Sequence, residues 1–409
     1  MTDAIVGRRS PLGHHTLVIP TYNRPELLRR LVSYYARQAP DLHLLVLDSS
    51  RPEIAEDNSR MVAEVAASGR HIAFPNTVPM VAKIRDGLKE VRTPTVSLCA
   101  DDDLVFPAGL EEAILTLERN EGYVCAHGLY INFGEHGHRL LVTREYAGPS
   151  NEAAHPGARV FRLCQNYESM FYGVFRAPDL QDIFVGAAEL PSLHFQELFQ
   201  SCAALLKGKV KRFPSFYAAR RSGPAAEPDR DKWQTYYWFA ENPSEISSHY
   251  LDYRGRLQSF ASQHGEASNL DPAEFARVMD ICHAIYFSKG CPPAYFHSVL
   301  QPLWPGDGFV KQQDDLFRLI SPLGGERRLA WAERLMRKVL RKLRRIQRPR
   351  QSSVGGYEIA ISDLDRAIAA SGATAWTIEL PVGLKWLAGN SGFHASYQQL
   401  CLYLDSSPA

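Results

Sequence analysis

At 409 residues the chain is long enough for two domains, and 45% hydrophobic with 22% charged residues is the composition of a globular protein, which excludes a disordered or membrane-embedded class. The net charge of +1 hides an asymmetry: residues 326–350 hold eleven Lys/Arg against two Glu, leaving 35 basic against 43 acidic residues elsewhere. The seven cysteines are scattered without a CxxC pair, which argues against a disulfide framework or a zinc site and for a reducing compartment. No apolar run has the length of a spanning helix and the N-terminus lacks an apolar core, so a cytoplasmic protein is expected.

In chain order, Leu17 to Pro20 reads as a short strand followed by the turn Thr21-Tyr22-Asn23-Arg24. Pro25 then opens a helix whose apolar positions are Leu27, Leu28, Leu31, Val32 and Tyr35, Pro being suited to the first helical position. Leu42 to Leu47 is a second strand, ending at Asp48, and Ile72 to Phe74 a third. Val81, Ile84, Leu88 and Val91 mark the face of another helix, and Val96 to Ala100 is the fourth strand. Strands alternating with helices predict a parallel sheet with right-handed crossovers, in which ligands bind beyond the carboxyl ends of the strands. Asn23, Asp48 and Asp101 to Asp103 all fall at that edge.

Further on, residues 134–165 read as a hairpin or mobile loop, Met170 to Phe175 as a strand, Phe195 to Leu206 as a helix ending near Gly208, and Val210 to Tyr217 as a strand. A loop after Arg221 begins a mainly helical region, with helices over roughly 230–264, 271–288 and 312–347, then a linker over 348–356, a last helix and an irregular tail.

The apolar run Val96 to Ala100 stops at three adjacent carboxylates, Asp101, Asp102 and Asp103, which nothing in the flanking sequence neutralises. A hard divalent cation would relieve their repulsion, since such ions take oxygen ligands and complete their shell with water and substrate phosphate. An exposed acidic turn is the plain alternative.

Val18-Ile-Pro-Thr-Tyr-Asn-Arg24, the strand ending in Asp48 and the Asp101-Asp102-Asp103 triplet together resemble a GT-A-fold, family-2-like glycosyltransferase, over roughly residues 14–221. No GxGxxG or GxxxxGKS segment supports a dinucleotide or P-loop reading. The resemblance implies an α/β GT-A domain over 1–225, with a Rossmann-like, mainly parallel sheet flanked by helices, and a mainly helical domain over 226–409. It implies a nucleotide-sugar donor and a Mn²⁺ or Mg²⁺ cofactor. Asp103 would hold the metal, Asp101 would approach the ribose, and Asp102 would shape the turn. Pro20, Thr21, Tyr22, Asn23 and Arg24 would form the first nucleotide loop, with Tyr22 lining the base. Asp48 would contact the nucleobase, although Ser49 and Ser50 stand where many relatives carry a second Asp. Lys83 would reach the diphosphate, its alternative being a solvated helix lysine. Arg220 and Arg221 resemble the family's basic close to the domain, without the His that often follows.

The acceptor hydroxyl needs a general base. By the family pattern, eleven residues before Gly208 comes Glu197, near a helix N-terminus that favours its ionised form; Glu189 and His194 are its rivals. Single displacement with one base predicts inversion at the anomeric carbon. Tyr172-Gly173 would floor the acceptor side, either letting a sugar approach the backbone or packing tightly. Trp233, Tyr236, Tyr237, Trp238 and Phe239 would stack on sugars or anchor the helical region. Over 326–350 an apolar stripe from Leu329 to Ile346 is surrounded by Arg and Lys, suiting an anionic membrane surface, packing against the helical domain, or less readily a nucleic acid. The acceptor is then a glycan, protein or lipid-linked hydroxyl, and the location cytoplasmic or peripheral on the inner face of a membrane. A GT-A-like module that has lost transfer and serves binding or scaffolding is the alternative in another class.

Overall fold

The computed structural model describes residues 10–136, 139–221, 246–264, 267, 271–290, 357–358, 377–380, 399–400 and 402–404. The aromatic run 233–239, the helix expected over 312–347 and the basic segment 326–350 lie outside them.

Strands β1 (His15–Thr21), β2 (His43–Asp48), β3 (Gly69–Ala73) and β4 (Thr95–Leu98) pair in parallel in the order β3-β2-β1-β4, joined by α1 (Pro25–Gln38), α2 (Pro52–Val65) and α3 (Met80–Leu88). Successive side chains of a strand point to opposite faces. Leu17 and Ile19 therefore enter one core with α1 and α2, whereas Val18 enters the other with α3. Both faces are covered, which is why these strands read as continuous apolar runs. The edge strand β3 is only half buried, and its apolar signal is accordingly confined to its end.

The chain then runs through β5 (Leu104–Val105), α4 (Pro107–Arg119), the long hairpin β6 (Tyr123–His136) and β7 (Arg139–Tyr146), α5 (Pro156–Gln165), β8 (Val174–Arg176), α6 (Ala177–Ala188), α7 (Leu193–Lys207) and β9 (Lys209–Arg221). Strand β8 is antiparallel to β4 and β6, while β9 is parallel to β6 and antiparallel to β5. Pro25, Pro52, Pro107 and Pro156 each sit in the first turn of a helix, where the missing N–H costs no bond.

The segment expected as a hairpin or mobile loop over 134–165 is the hairpin of β6 and β7, followed by a helix, α5, that was not expected. The strand expected at Met170 starts only at Val174, because the Gly173 N–H donates to Met170 O at 3.0 Å and closes a turn. Helix α8 (Ile246–Gln263) and helix α9 (Pro272–Gly290) pack on α5 and α7. Their Tyr253, Leu257 and Met279 join the same core as Val18 and Ile84. Short strands β10 (Tyr357–Glu358) and β11 (Thr377–Leu380) extend the sheet beyond β7. The result is a mixed sheet flanked by helices, parallel throughout β3-β2-β1-β4 and of both senses beyond β4.

Candidate active site

The carboxyl ends of β1, β2 and β4 meet as the sequence predicts. Thr21, the last residue of β1, donates from Oγ1 to Asp101 Oδ2 at 2.6 Å. Arg24 Nη1 reaches Asp101 Oδ1 at 3.3 Å and Asp102 Oδ2 at 3.2 Å. Pro20 is buried within β1, whereas Tyr22 presents an exposed ring. Between them and Arg24, Asn23 has a φ of 54°, the left-handed region that Asn tolerates better than most residues. Its N–H donates to Ser50 Oγ at 2.7 Å and its Oδ1 accepts the Arg51 N–H at 3.0 Å, so the strained turn is held from both sides.

Asp48 is fully buried. Its Oδ1 accepts the Ser50 N–H at 2.7 Å, and its Oδ2 accepts Asn58 Nδ2 at 2.7 Å beside His71 Nε2 at 3.1 Å. Burial works to raise its pKa, but the bonds from His71, Asn58 and Ser50 prevail and hold it at about 2. The expectation of a nucleobase contact therefore meets a carboxylate occupied on both oxygens by its own fold. Asn58 and His71 were not singled out in the sequence; the available signal was a helix-disfavoured Asn in the run that α2 forms.

Lys83 is no solvated helix lysine. Gly87 lets α3 lie close on β2, since a Cβ there would meet Leu47 Cδ1 at 2.4 Å. Lys83 Nζ is thereby seated inside, donating to Thr21 O at 2.7 Å and Ser49 Oγ at 2.8 Å. Burial lowers its pKa to about 8, against the charges of Asp48 and Asp101. It clamps the two strand-end loops together.

The acidic turn continues into β5, whose Leu104 and Val105 pair with Ala219 and Ala218 of β9. That pairing brings Arg220 and Arg221 beside Asp103. Asp103 is buried, accepting the Tyr172 hydroxyl at 2.5 Å on Oδ2 and the Arg221 N–H at 2.7 Å on Oδ1. Burial and then the like charge of Asp102 push Asp101 up to about 6 and raise Asp103 as well. Among the described residues no three His, Cys, Asp or Glu side chains form a ready metal cage. The turn nonetheless fits a Mg²⁺-type ion: burial and the like charge of Asp102 disfavour the ionised forms of Asp101 and Asp103, which a cation would restore, and such ions need only one or two protein carboxylates beside phosphate and water.

Glu197, in the early part of α7, lies within the field of Arg220. Glu197 is exposed, yet desolvation still raises its carboxyl above the ordinary glutamate value, against the charge of Arg220; a group open to water on one side and walled by protein on the others behaves so. The fields of Tyr172, Asp103, Tyr146 and Glu197 in turn hold Arg220 above its ordinary pKa against burial. Arg220, a weak candidate by sequence, is therefore the electrostatic link between Asp103 and Glu197. The rivals of Glu197 lie elsewhere. Glu189 pairs with Arg85 at 3.2 Å, and His194 stacks on Tyr286, with burial lowering its pKa to about 3. Gly173 serves packing: a Cβ on it would meet Cys125 Sγ at 2.4 Å.

Carboxylates, guanidinium groups and hydroxyls thus gather at one strand edge of a mixed, helix-flanked sheet. Residues 16–176, about two fifths of the chain, match the family model described as glycosyl transferase family 2. Comparison with curated proteins by sequence gives no match. Among solved structures, the crystal structure of S. aureus TarS is 13% identical with a TM-score of 0.46, covering 74% of this chain and 48% of that one. The chain thus spans about half the length of that relative. TarS 1–349 in complex with UDP-GlcNAc is 12% identical at a TM-score of 0.46, covering 75% and 81%. TarS 1–349 in complex with UDP is 13% identical at 0.43, covering 67% and 71%. Likeness at this level says nothing of what this chain binds.

Proposed function

We propose that the chain is a metal-dependent, inverting glycosyltransferase that moves a sugar from a nucleotide-diphosphate donor to a hydroxyl of a glycan, protein or lipid-linked acceptor. The observation that carries this reading is the Asp101–Asp103 turn, whose buried and mutually repelling carboxylates stand against Thr21 and Arg24 on one side and Arg220 on the other. Pro20 to Arg24 form the nucleotide loop, with Tyr22 offering its ring to the base. Asp48 and Lys83 act from beneath that loop, fixing Ser49, Ser50 and Thr21 in place. Asp103, with Asp101 and Asp102 beside it, would hold Mn²⁺ or Mg²⁺, which supplies Lewis-acid stabilisation of the departing diphosphate.

In the transfer step Glu197 takes the acceptor's hydroxyl proton onto a carboxylate oxygen while that hydroxyl oxygen bonds to the anomeric carbon. The bond from that carbon to the diphosphate breaks, and the electron pair leaves with the phosphate oxygen. Arg24 and Arg220 offer positive charge where negative charge collects. One displacement inverts the anomeric centre.

The same reading keeps 1–225 as the catalytic domain and 226–409 as a mainly helical one. It places 326–350 on an anionic membrane surface from the cytoplasmic side, which supports a lipid-linked acceptor; undiminished liposome binding after deletion of 326–350 from a folded protein would remove that element. Among the described residues no helix is long and apolar enough to cross a membrane. The reading as a whole is tested by thermal stabilisation with UDP, GDP or dTDP, with and without Mn²⁺. A cation-dependent upward shift with at least one nucleotide is expected. No shift with any of them favours the binding or scaffolding module.

A further inference from the structure

We propose that Tyr403, carried by the C-terminal segment 399–404, is a positioning residue of the donor site that holds the Asp103 turn from behind. The inference rests on the metal role of Asp103 proposed above.

Leu400, Tyr403 and Leu404 are buried in the same core as Tyr34 and Tyr35 of α1, Cys99, Leu104 and Val105. From the Tyr403 ring two routes lead to the turn. Along the first, Tyr403 meets Tyr34 edge-on at 5.8 Å and Tyr34 meets Tyr35 edge-on at 5.2 Å. The Tyr35 hydroxyl donates to Val105 O at 2.8 Å and accepts the Val105 N–H at 3.1 Å, two residues past Asp103. Along the second, the Arg30 guanidinium lies 5.8 Å from the centre of the Tyr403 ring and pairs with Glu135 at 3.6 Å. Glu135 also pairs with Arg221 at 3.2 Å, and it is the Arg221 N–H that donates to Asp103. The Tyr34 hydroxyl donates to Gln399 Oε1 at 2.8 Å, which ties the segment itself to α1.

One route ends on the backbone of Val105, two residues past the carboxylate assigned to the cation, the other on the Asp103 side chain itself, and both begin at one residue more than 290 positions away in sequence. Burial raises the Tyr403 pKa, opposed by Arg30 and reinforced by Cys99, Asp102 and Asp103, which places the hydroxyl within the field of the turn. Among the described residues that hydroxyl has no hydrogen-bond partner, so the ring carries the effect and Phe is the conservative replacement. Edge-on aromatic pairs and a cation over a ring are directional contacts, able to fix a loop where bulk apolar packing would only cover it.

The test is a titration of the full-length chain with UDP, GDP, dTDP and CDP in parallel, each with and without Mn²⁺. Residues that orient metal ligands from outside typically change metal affinity about 10–100-fold when removed. Tyr403→Ala should therefore lower Mn²⁺-dependent affinity about tenfold, leave metal-free nucleotide affinity within about twofold, and be rescued by Tyr403→Phe. Arg30→Met, which keeps most of the side-chain volume, should act in the same direction and serves if Tyr403→Ala does not fold. Retained Mn²⁺ enhancement in these variants, or an equal loss of metal-free binding, overturns the proposal while leaving the metal reading intact. Absence of any Mn²⁺ enhancement in the unmodified chain removes the metal role of Asp103 and the inference with it.

Discussion

At the ends of β1, β2 and β4 the polar side chains close on one another: Thr21 on Asp101, Lys83 on Thr21 and Ser49, Asn58 and His71 on Asp48. Around Arg220 such groups meet more openly. Asp103, Tyr172, Tyr146 and Glu197 each act on the Arg220 guanidinium through their fields, and Glu197 remains exposed to solvent. The first region is a preorganised frame whose bonds are largely spent within the protein. The second leaves charge to be answered by something that arrives. A nucleotide needs a rigid seat, whereas a base and a developing phosphate charge need groups whose partners change during the reaction.

The same contrast explains what the sequence made legible. The frame was readable because its residues end consecutive strands of a parallel sheet, so Asn23, Asp48 and the acidic triplet converge by topology alone. Chemistry inside the frame was not. Asp48 and Lys83 look like ligand-facing charges in one dimension, and only the close approach of α3 at Gly87, together with Asn58 and His71, shows them turned inward. The region around Arg220 is assembled from β5, β9, α7 and the turn before β8, parts far apart in the chain. The family count reached Glu197 there, but the link through Arg220 depends on β9 pairing with β5, which no local pattern encodes. Residues 399–404 were hidden in what reads as an irregular tail.

The largest expected effect separates the two regions at the turn they share. Asp103→Asn should cut metal-dependent transfer and donor hydrolysis by about 10³-fold or more, because charge stabilisation of the leaving group goes with it. Retained turnover would remove the metal role. Next comes Glu197→Gln, expected to lower turnover by about 10²-fold or more while nucleotide affinity stays unchanged, since the residue stands outside the frame. If nucleotide binding fell in step with turnover, the two regions would be one, and the comparison would break. Unchanged turnover would move the base elsewhere.

The smallest effect sharpens the contrast through pH. The core buries His15 between Thr95 and Ser97, with a pKa of about 3, and His283 beside Tyr253, with a pKa of about 4, both lowered first by burial. Unfolded, each takes up a proton near its ordinary value, so the stability they contribute is complete above about pH 6.5 and is lost as the pH falls toward those folded values. Asp101 works the other way. Its folded pKa of about 6 lies above the ordinary aspartate value, so its contribution is complete below about pH 4 and is lost as the pH rises through 6. Asp101→Asn should therefore stabilise the cation-free protein at pH 7.5 by an amount on the order of 2 kcal/mol, a gain that shrinks toward pH 5. Thermal melts of both proteins across that range give the measurement. A gain independent of pH would mean that the site carries no electrostatic strain. A gain confined to neutral pH, and erased by Mn²⁺ with nucleotide, would show stability given up at this turn so that a cation can restore it.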